Sequence, residues 1–364
     1  MSAPLGPLLT GLKRGLGPVN LRLLSLLLAL SALFAGTAGP QMFSAASLRS
    51  MAFQLPELGL LSLAMMVPLL SGGLDLSIIA TANLSALTMA WVLTHGLPAE
   101  PGLAWALWQL GAVLAGMLVA ACVGLLNGYL IAHLRVSPIL ATLGTMTLVK
   151  GITVGLTHGG VISGFPAPVL FLGHGTVAGV PVALLLFAVV AIPVGVMLSR
   201  SPFGLNVAMV GSNEVATRYS GVDTSWVLMR VYVLSACLAA ITGLVMMARF
   251  DSANAAYGES YLLVTILAAV LGGVNPTGGF GRASGLVIAL VILQLISTAA
   301  SMLDLSQFLT LSIWGATLIG VAGTAALRAW WTQRRLMSPP SHAVNGLQTA
   351  RVAVARAGTV DRTP

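Results

Sequence analysis

Ser71-Gly72-Gly73-Leu74-Asp75-Leu76-Ser77 sets two glycines, an acid and two hydroxyls between two apolar runs, residues 58–70 and 76–94. The first run is shorter than the roughly 20 residues a crossing helix needs. Ser71–Ser77 therefore reads as an unwound interruption of a membrane span. Unpaired peptide groups in hydrocarbon cost several kcal/mol unless they are buried in protein or line a cavity. A carboxylate at such a depth is by default functional. The remaining chain reads as scaffolding that brings this turn, and a partner near Gly272-Gly273, to one depth in a bilayer.

Composition supports lipid as the main solvent. Of the 364 residues, 57% are hydrophobic and only 7% charged, and the mean hydropathy is +0.97, whereas roughly a quarter of an average globular chain is charged. A net charge of +8 suggests nucleic acid, but the distribution of the charges points to membrane orientation and to no nucleic-acid partner. Cys122 and Cys237 sit in apolar runs, and the five histidines are scattered, so no metal spacing arises.

Taken in order, the apolar runs are 23–38, 58–70, 76–94, 103–126, one opened by Pro138 and ending near Lys150-Gly151, 180–199, 227–248, 261–274, 283–303 and 308–327. They predict an all-α polytopic membrane protein of about ten helices, two of them broken. Asn127 to Ser137 reads as a polar connection, and residues 157–179, rich in glycine, as a compact surface loop. Residues 203–219 carry apolar side chains at helical spacing, which predicts one amphipathic helix lying on the membrane face. With both termini inside, Lys13, Arg14, Arg22, Arg135, Arg200, Arg218, Arg230, Arg282 and every basic residue from Arg328 onward are cytoplasmic, while Arg49 and Arg249 are outside. Residues 1–328 form the membrane domain, and 329–364 a basic, disordered cytoplasmic tail.

Shifting the chain by 200 positions lays Gly72-Gly73-Leu74-Asp75-Leu76-Ser77 on Gly272-Gly273-Val274-Asn275-Pro276-Thr277. Two glycines, an aliphatic residue, an Asx and a hydroxyl keep their places. Interrupted spans at matching places in two halves are the sequence pointer to a midplane transport site. Asp75 has two compatible readings: a cap on the helix that starts at Leu76, or a direct role in the pathway. Asn275 before Pro276 has the same capping look. Asn83 lies on the following helix, facing either the pathway or a neighbouring helix. Gly124/Gly128, Gly151/Gly155 and Gly281/Gly285 have the spacing of close helix contacts, and Arg230 and Arg249 read as snorkelling to the interface.

Catalytic machinery is missing from these patterns. Gly273 to Gly278 has the spacing of a phosphate-binding loop, but Gly279 stands where the lysine is required. No paired-histidine zinc motif or nucleophile elbow is present. An uphill transporter built on this chain takes its energy from a partner, and the chain needs no cofactor of its own.

The stretches LLSGGLDLS, LLNGYLIAHLRVSPILATLGTM, GLNVAMVGSNEVATRYSGV and AAVLGGVNPTGGFGR resemble, in the same order, the permeases of bacterial ABC importers of the ribose, galactose and xylose class. The similarity runs from about Leu58 to Gly323. It implies a ten-helix permease of the type II importer kind in the bacterial inner membrane. The implied partners are a second permease subunit, a periplasmic solute-binding protein, a cytoplasmic ATPase that binds the ATP, and membrane lipid. The resemblance puts Gly72, Gly73, Asp75 and Ser77 by the translocation path; the repeat extends this to Gly272, Gly273 and Asn275, and polar Asn83 joins them. It also makes Gly204, Gly211, Asn213, Glu214, Ala216, Ser220 and Gly221 the segment that docks on the ATPase. Ile78-Ile79 replaces the family's usual Val-Gly, which bears on the solute. The function implied is import of a monosaccharide or similar polyol. The alternatives are a nucleoside, a signalling furanose or a branched-chain amino acid as cargo, an ion-coupled secondary transporter, and an intramembrane enzyme. The last lacks two reactive groups at one depth.

Overall fold

The computed structural model describes residues 18–37, 39–98, 101–306 and 308–317, with positions 319 and 323. The expected tail (329–364), the end of the last apolar run, and Lys13 and Arg14 lie outside the described residues. The chain divides into two compact units, Met1–Gly315 and Ala316–Pro364.

Thirteen α-helices are described: α1 Pro18–Thr37, α2 Ala45–Leu70, α3 Ile78–Gly96, α4 Leu103–Ala132, α5 Pro138–Thr157, α6 Ala167–His174, α7 Val182–Arg200, α8 Pro202–Ser212, α9 Glu214–Tyr219, α10 Thr224–Phe250, α11 Tyr261–Leu271, α12 Ala283–Met302 and α13 Phe308–Thr317. Eight are long and apolar enough to cross a membrane, and α11 and α13 are shorter apolar helices. Each of the ten expected segments is thus helical over most of its described length.

Helices α2, α3 and α10 form the buried centre, whereas α4, α5 and α7 present leucine and valine outward, as at Leu118, Leu140 and Val189. In lipid such faces cost nothing, because association between helices rests on close packing and polar contacts rather than on the hydrophobic effect. At Gly124 an added Cβ would lie 2.7 Å from the Tyr232 carbonyl oxygen, and at Gly128 2.9 Å from Met229 Sδ, so α4 and α10 pack through this glycine pair. Among the described residues, Gly151 and Gly155 meet nothing within 4 Å, so the same spacing on α5 makes no helix contact there.

Several boundaries differ from the sequence reading. Helix α2 begins at Ala45, not Leu58, and carries Pro56, Pro68 and the fully buried Glu57 inside it. Its 26 residues extend about 39 Å, so the turn after it ends a complete span. Asn127 lies inside α4, and Arg249 does not snorkel: its Nη1 pairs with Glu57 Oε1 at 2.9 Å. Residues 157–179 are not a plain loop. Phe165 and Val169 are buried in a cluster with Leu93 and Met247, Ile162–Ser163 pairs with Ser252–Ala253, and Thr176–Val177 pairs with Val180–Pro181. The amphipathic stretch is two helices, broken where Asn213 adopts an extended conformation (φ −164°) and accepts from Ala216 N at 2.9 Å to cap α9.

Candidate functional site

Helix α2 stops because Gly72 turns left-handed, at φ +81°. Gly72 N then donates to Leu69 O and Gly73 N to Pro68 O, each at 3.0 Å, satisfying the last carbonyls of the helix in a Schellman arrangement. Three residues on, Asp75 Oδ1 accepts from Ser77 N (3.0 Å) and Ser77 Oγ (2.6 Å). The second turn repeats both devices. Gly273 has φ +86°, Gly273 N reaches Val270 O and Val274 N reaches Ala269 O, each at 3.0 Å. Asn275 Oδ1 accepts from Thr277 N (3.2 Å) and Thr277 Oγ1 (3.0 Å). The Asx–hydroxyl pairs match at a shift of 200, but the left-handed glycines, Gly72 and Gly273, are 201 apart. Gly272 serves close packing instead: an added Cβ would lie 2.7 Å from Leu286 Cα.

Asp75 does not cap a helix starting at Leu76. Helix α3 begins at Ile78, and Asp75 closes the turn ahead of it. The carboxylate is 1% exposed, and its second oxygen accepts from Ser235 Oγ of α10 at 2.9 Å. Ser235 Oγ also lies 3.0 Å from Ala64 O, and Asn127 Nδ2 donates to Ser77 Oγ at 2.8 Å. One acid thereby ties the α2–α3 turn to α10 and, through Ser77, to α4. Ser235 escaped the sequence reading because a single small polar residue in a long apolar run carries no signal of its partner, and Asn127 because it reads as the start of a polar connection.

The two turns touch each other and the segment expected to dock on the ATPase. Gly279 N donates to Leu70 O at 3.0 Å. A Cβ at Gly278 would stand 2.7 Å from both Gly72 N and Gly211 O, and one at Gly211 2.6 Å from Gly279 N. Three backbone strands thus meet with no room for side chains, and Gly211 is the last residue but one of α8. Gly72 and Gly73 also line a cavity of about 600 Å³ with Arg135, Glu214 and Arg218.

This junction lies toward the start of α10. An added Cβ at Gly73 would collide with Tyr232 Oη. Tyr232 stands near the start of α10, the helix that follows α9. The turns therefore sit at the end of the bundle that carries α8 and α9, where Arg200 and Arg282 also line one groove. Asn83 is placed apart from them, donating at 2.9 Å to both Ala255 O and Tyr257 O and so pinning the 251–260 connection.

The other docking-segment residues have local tasks. Gly204 N donates to Ser201 Oγ at 3.2 Å, Glu214 pairs with Arg218 at 2.6 Å, and Ser220 N donates to Ala216 O at 3.1 Å. Gly221, at φ +84°, closes α9. Helix α9 leaves Val215 and Tyr219 65% and 90% exposed.

A bundle of apolar spans whose glycine turns converge on a short two-helix segment at one end is a multi-pass membrane permease. The chain belongs to the family described as branched-chain amino acid transport system / permease component, which matches residues 47–322; it is a transport subunit and not an enzyme. It is 32% identical to the ribose import permease protein RbsC of Bacillus subtilis over 72% of this chain and 79% of that protein. It is 28% identical to the autoinducer 2 import system permease protein LsrD of Photorhabdus temperata, over 87% of this chain and 96% of that one. The Salmonella typhi LsrD protein is likewise 28% identical, over 76% and 85%. No solved structure matches significantly.

Proposed function

We propose that the chain is the membrane subunit of an ATP-driven importer whose cargo is a monosaccharide or similar polyol, delivered by a periplasmic binding protein. A cytoplasmic ATPase binds the nucleotide and docks on α8 and α9, a second permease chain completes the passage, and this chain holds no cofactor of its own. It resides in the bacterial inner membrane with both termini cytoplasmic. Arg135, Arg200, Arg218 and Arg282 at the α8–α9 end support that orientation.

The observation that carries the mechanism is the contact of Gly211 with both turns. A displacement of α8 is passed, backbone to backbone, to the ends of α2, α3, α11 and α12 together. Moving rigid spans in concert switches access between the two faces, with ATP on the partner biasing the equilibrium. In this reading Gly72, Gly73, Gly272 and Gly273 are parts of the coupling joint, with Asp75, Ser77 and Asn275 holding its shape. The cargo class rests on the named relatives, which import ribose and autoinducer 2.

The test is reconstitution with an ABC ATPase and a periplasmic sugar-binding protein as partners. ATP-dependent uptake of D-ribose, D-xylose or D-galactose, needing the binding protein, is the expected result. Uptake of leucine but of no sugar moves the chain to the amino-acid branch. Uptake that survives ATP removal and collapses with an uncoupler makes it a secondary transporter.

A further inference from the structure

At the end of the bundle away from the turns, a cavity of about 490 Å³ opens between α2, α12 and α13, within the usual small-molecule range of roughly 300–1,000 Å³. Its lining includes Gln54, Tyr261, Gln294, Ser297, Ser301 and Trp314. Gln294, Ser297 and Ser301 share one face of α12, at i, i+3 and i+7. Such a polar stripe on a membrane helix calls for a partner.

Part of that demand is met inside the protein. Gln294 Nε2 donates to Gln54 Oε1 at 3.2 Å, and Gln54 Nε2 to Ser50 Oγ at 3.0 Å. The rest is not. The buried Trp314 Nε1 has no acceptor among the described residues. Among the described residues, Ser199, Thr153 and Thr242 turn their hydroxyls back onto the carbonyl four residues earlier. Ser297, half-buried, and Ser301, exposed, make no such bond, which leaves both hydroxyls open to the cavity. Helix-to-helix bonding therefore does not account for the lining. An unpaired buried donor costs free energy unless something accepts from it.

We infer that this cavity is a site for a neutral polyol, the place where the membrane subunit accepts its cargo. The inference rests on the importer reading above and gives it a location. Carboxamides and hydroxyls both donate and accept, as sugar hydroxyls do. The indole offers a flat apolar face for ring carbons and an N–H for a hydroxyl at its edge. Asp304 brings the one charge in the lining, and it is exposed at the rim. An anionic solute would lack a matched partner here.

The test uses the full importer with its own ATPase and binding protein in proteoliposomes, reading sugar moved per ATP hydrolysed with D-ribose, D-xylose and D-galactose, and leucine as comparison. Trp314→Phe keeps the ring and removes the N–H; Gln294→Leu keeps the volume and removes the amide. Each is expected to lower the ratio roughly five- to tenfold, one hydrogen bond's worth. As a second readout, Ser297→Cys in a background lacking Cys122 and Cys237 is labelled by a sulfonate thiol reagent, and saturating transported sugar slows that labelling. Wild-type ratios in both variants, with labelling indifferent to sugar, overturn the site while leaving the importer reading standing. A wild-type importer that moves leucine and no sugar overturns the importer's cargo class and the polyol site with it.

Discussion

The backbone N–H of Gly279 donates to the carbonyl of Leu70 at 3.0 Å, joining the two glycine turns directly. A helix-end carbonyl otherwise left to water is satisfied by the other repeat. Gly211 closes over this bond so tightly that an added Cβ would collide with Leu70 O. Gly211→Ala is therefore expected to destabilise the protein by about 1–3 kcal/mol through overpacking and to cut ATP-driven uptake. Thermal melting in detergent alongside uptake tests this; wild-type values for both would remove the junction from the mechanism.

Asp75 is expected to act through its oxygens rather than its charge. It accepts from Ser77 N, Ser77 Oγ and Ser235 Oγ, and Asn275 makes the equivalent turn with a neutral amide. Asp75→Asn should keep the turn, with Ser235 accepting from the new amide, at a cost under about 1 kcal/mol. Asp75→Ala strands those donors in a buried site and should cost about 2–4 kcal/mol, since each unsatisfied group costs about 1–3 kcal/mol, and depress uptake. An Asn variant that melts like wild type yet carries nothing would show that the charge itself takes part.

The Asx–hydroxyl repeat was legible in the sequence because side-chain chemistry fixes it: a carbonyl-bearing residue two places before a hydroxyl closes the same turn twice. Its depth was not. Gln54, Pro56 and Glu57 look like the edge of a loop, and only the partner Arg249, far along the chain, explains why α2 runs through them. The glycine register also slipped by one, since the left-handed residue is set by where each helix ends, at Leu70 and Leu271. Ser235 and Asn127 stayed hidden because their bonds cross 160 and 50 positions of chain.

The exposed side of α9 makes a prediction about assembly. Val215 and Tyr219 are 65% and 90% exposed, and an apolar anchor at the centre of an interface typically carries about 2 kcal/mol or more. Val215→Asp or Tyr219→Ala should weaken ATPase capture by at least roughly tenfold, with melting of the isolated permease unchanged. Asn213→Ala differs: it removes the cap on Ala216 N, frays α9 at a cost of about 1 kcal/mol, and should leave the ATPase bound but poorly coupled. Titration of labelled ATPase against permease in nanodiscs separates the two effects, and full affinity in the Val215 and Tyr219 variants moves the docking face elsewhere.

Glu57 and Arg249 give the sharpest energetic test, because burial turns an ion pair into a liability once it is halved. Glu57 is fully buried, Arg249 Nη1 stands 2.9 Å from its Oε1, and Oε2 has no hydrogen-bond partner. Removing either charge leaves the other without compensation, at a cost of about 3–5 kcal/mol, whereas replacing both with apolar or neutral groups of similar size is often close to neutral. Glu57→Gln and Arg249→Met should each lower the melting temperature markedly, and the double variant should regain most of the loss. The Lys150–Glu259 pair supplies the contrast: at 2.7 Å it is shorter, but its side chains are nearly half exposed, so Glu259→Gln should cost under about 1 kcal/mol. A double variant at 57 and 249 no more stable than the worse single one would mean that the pair contributes more than mutual neutralisation. The unpaired Oε2 would then be the first atom to examine for a further partner.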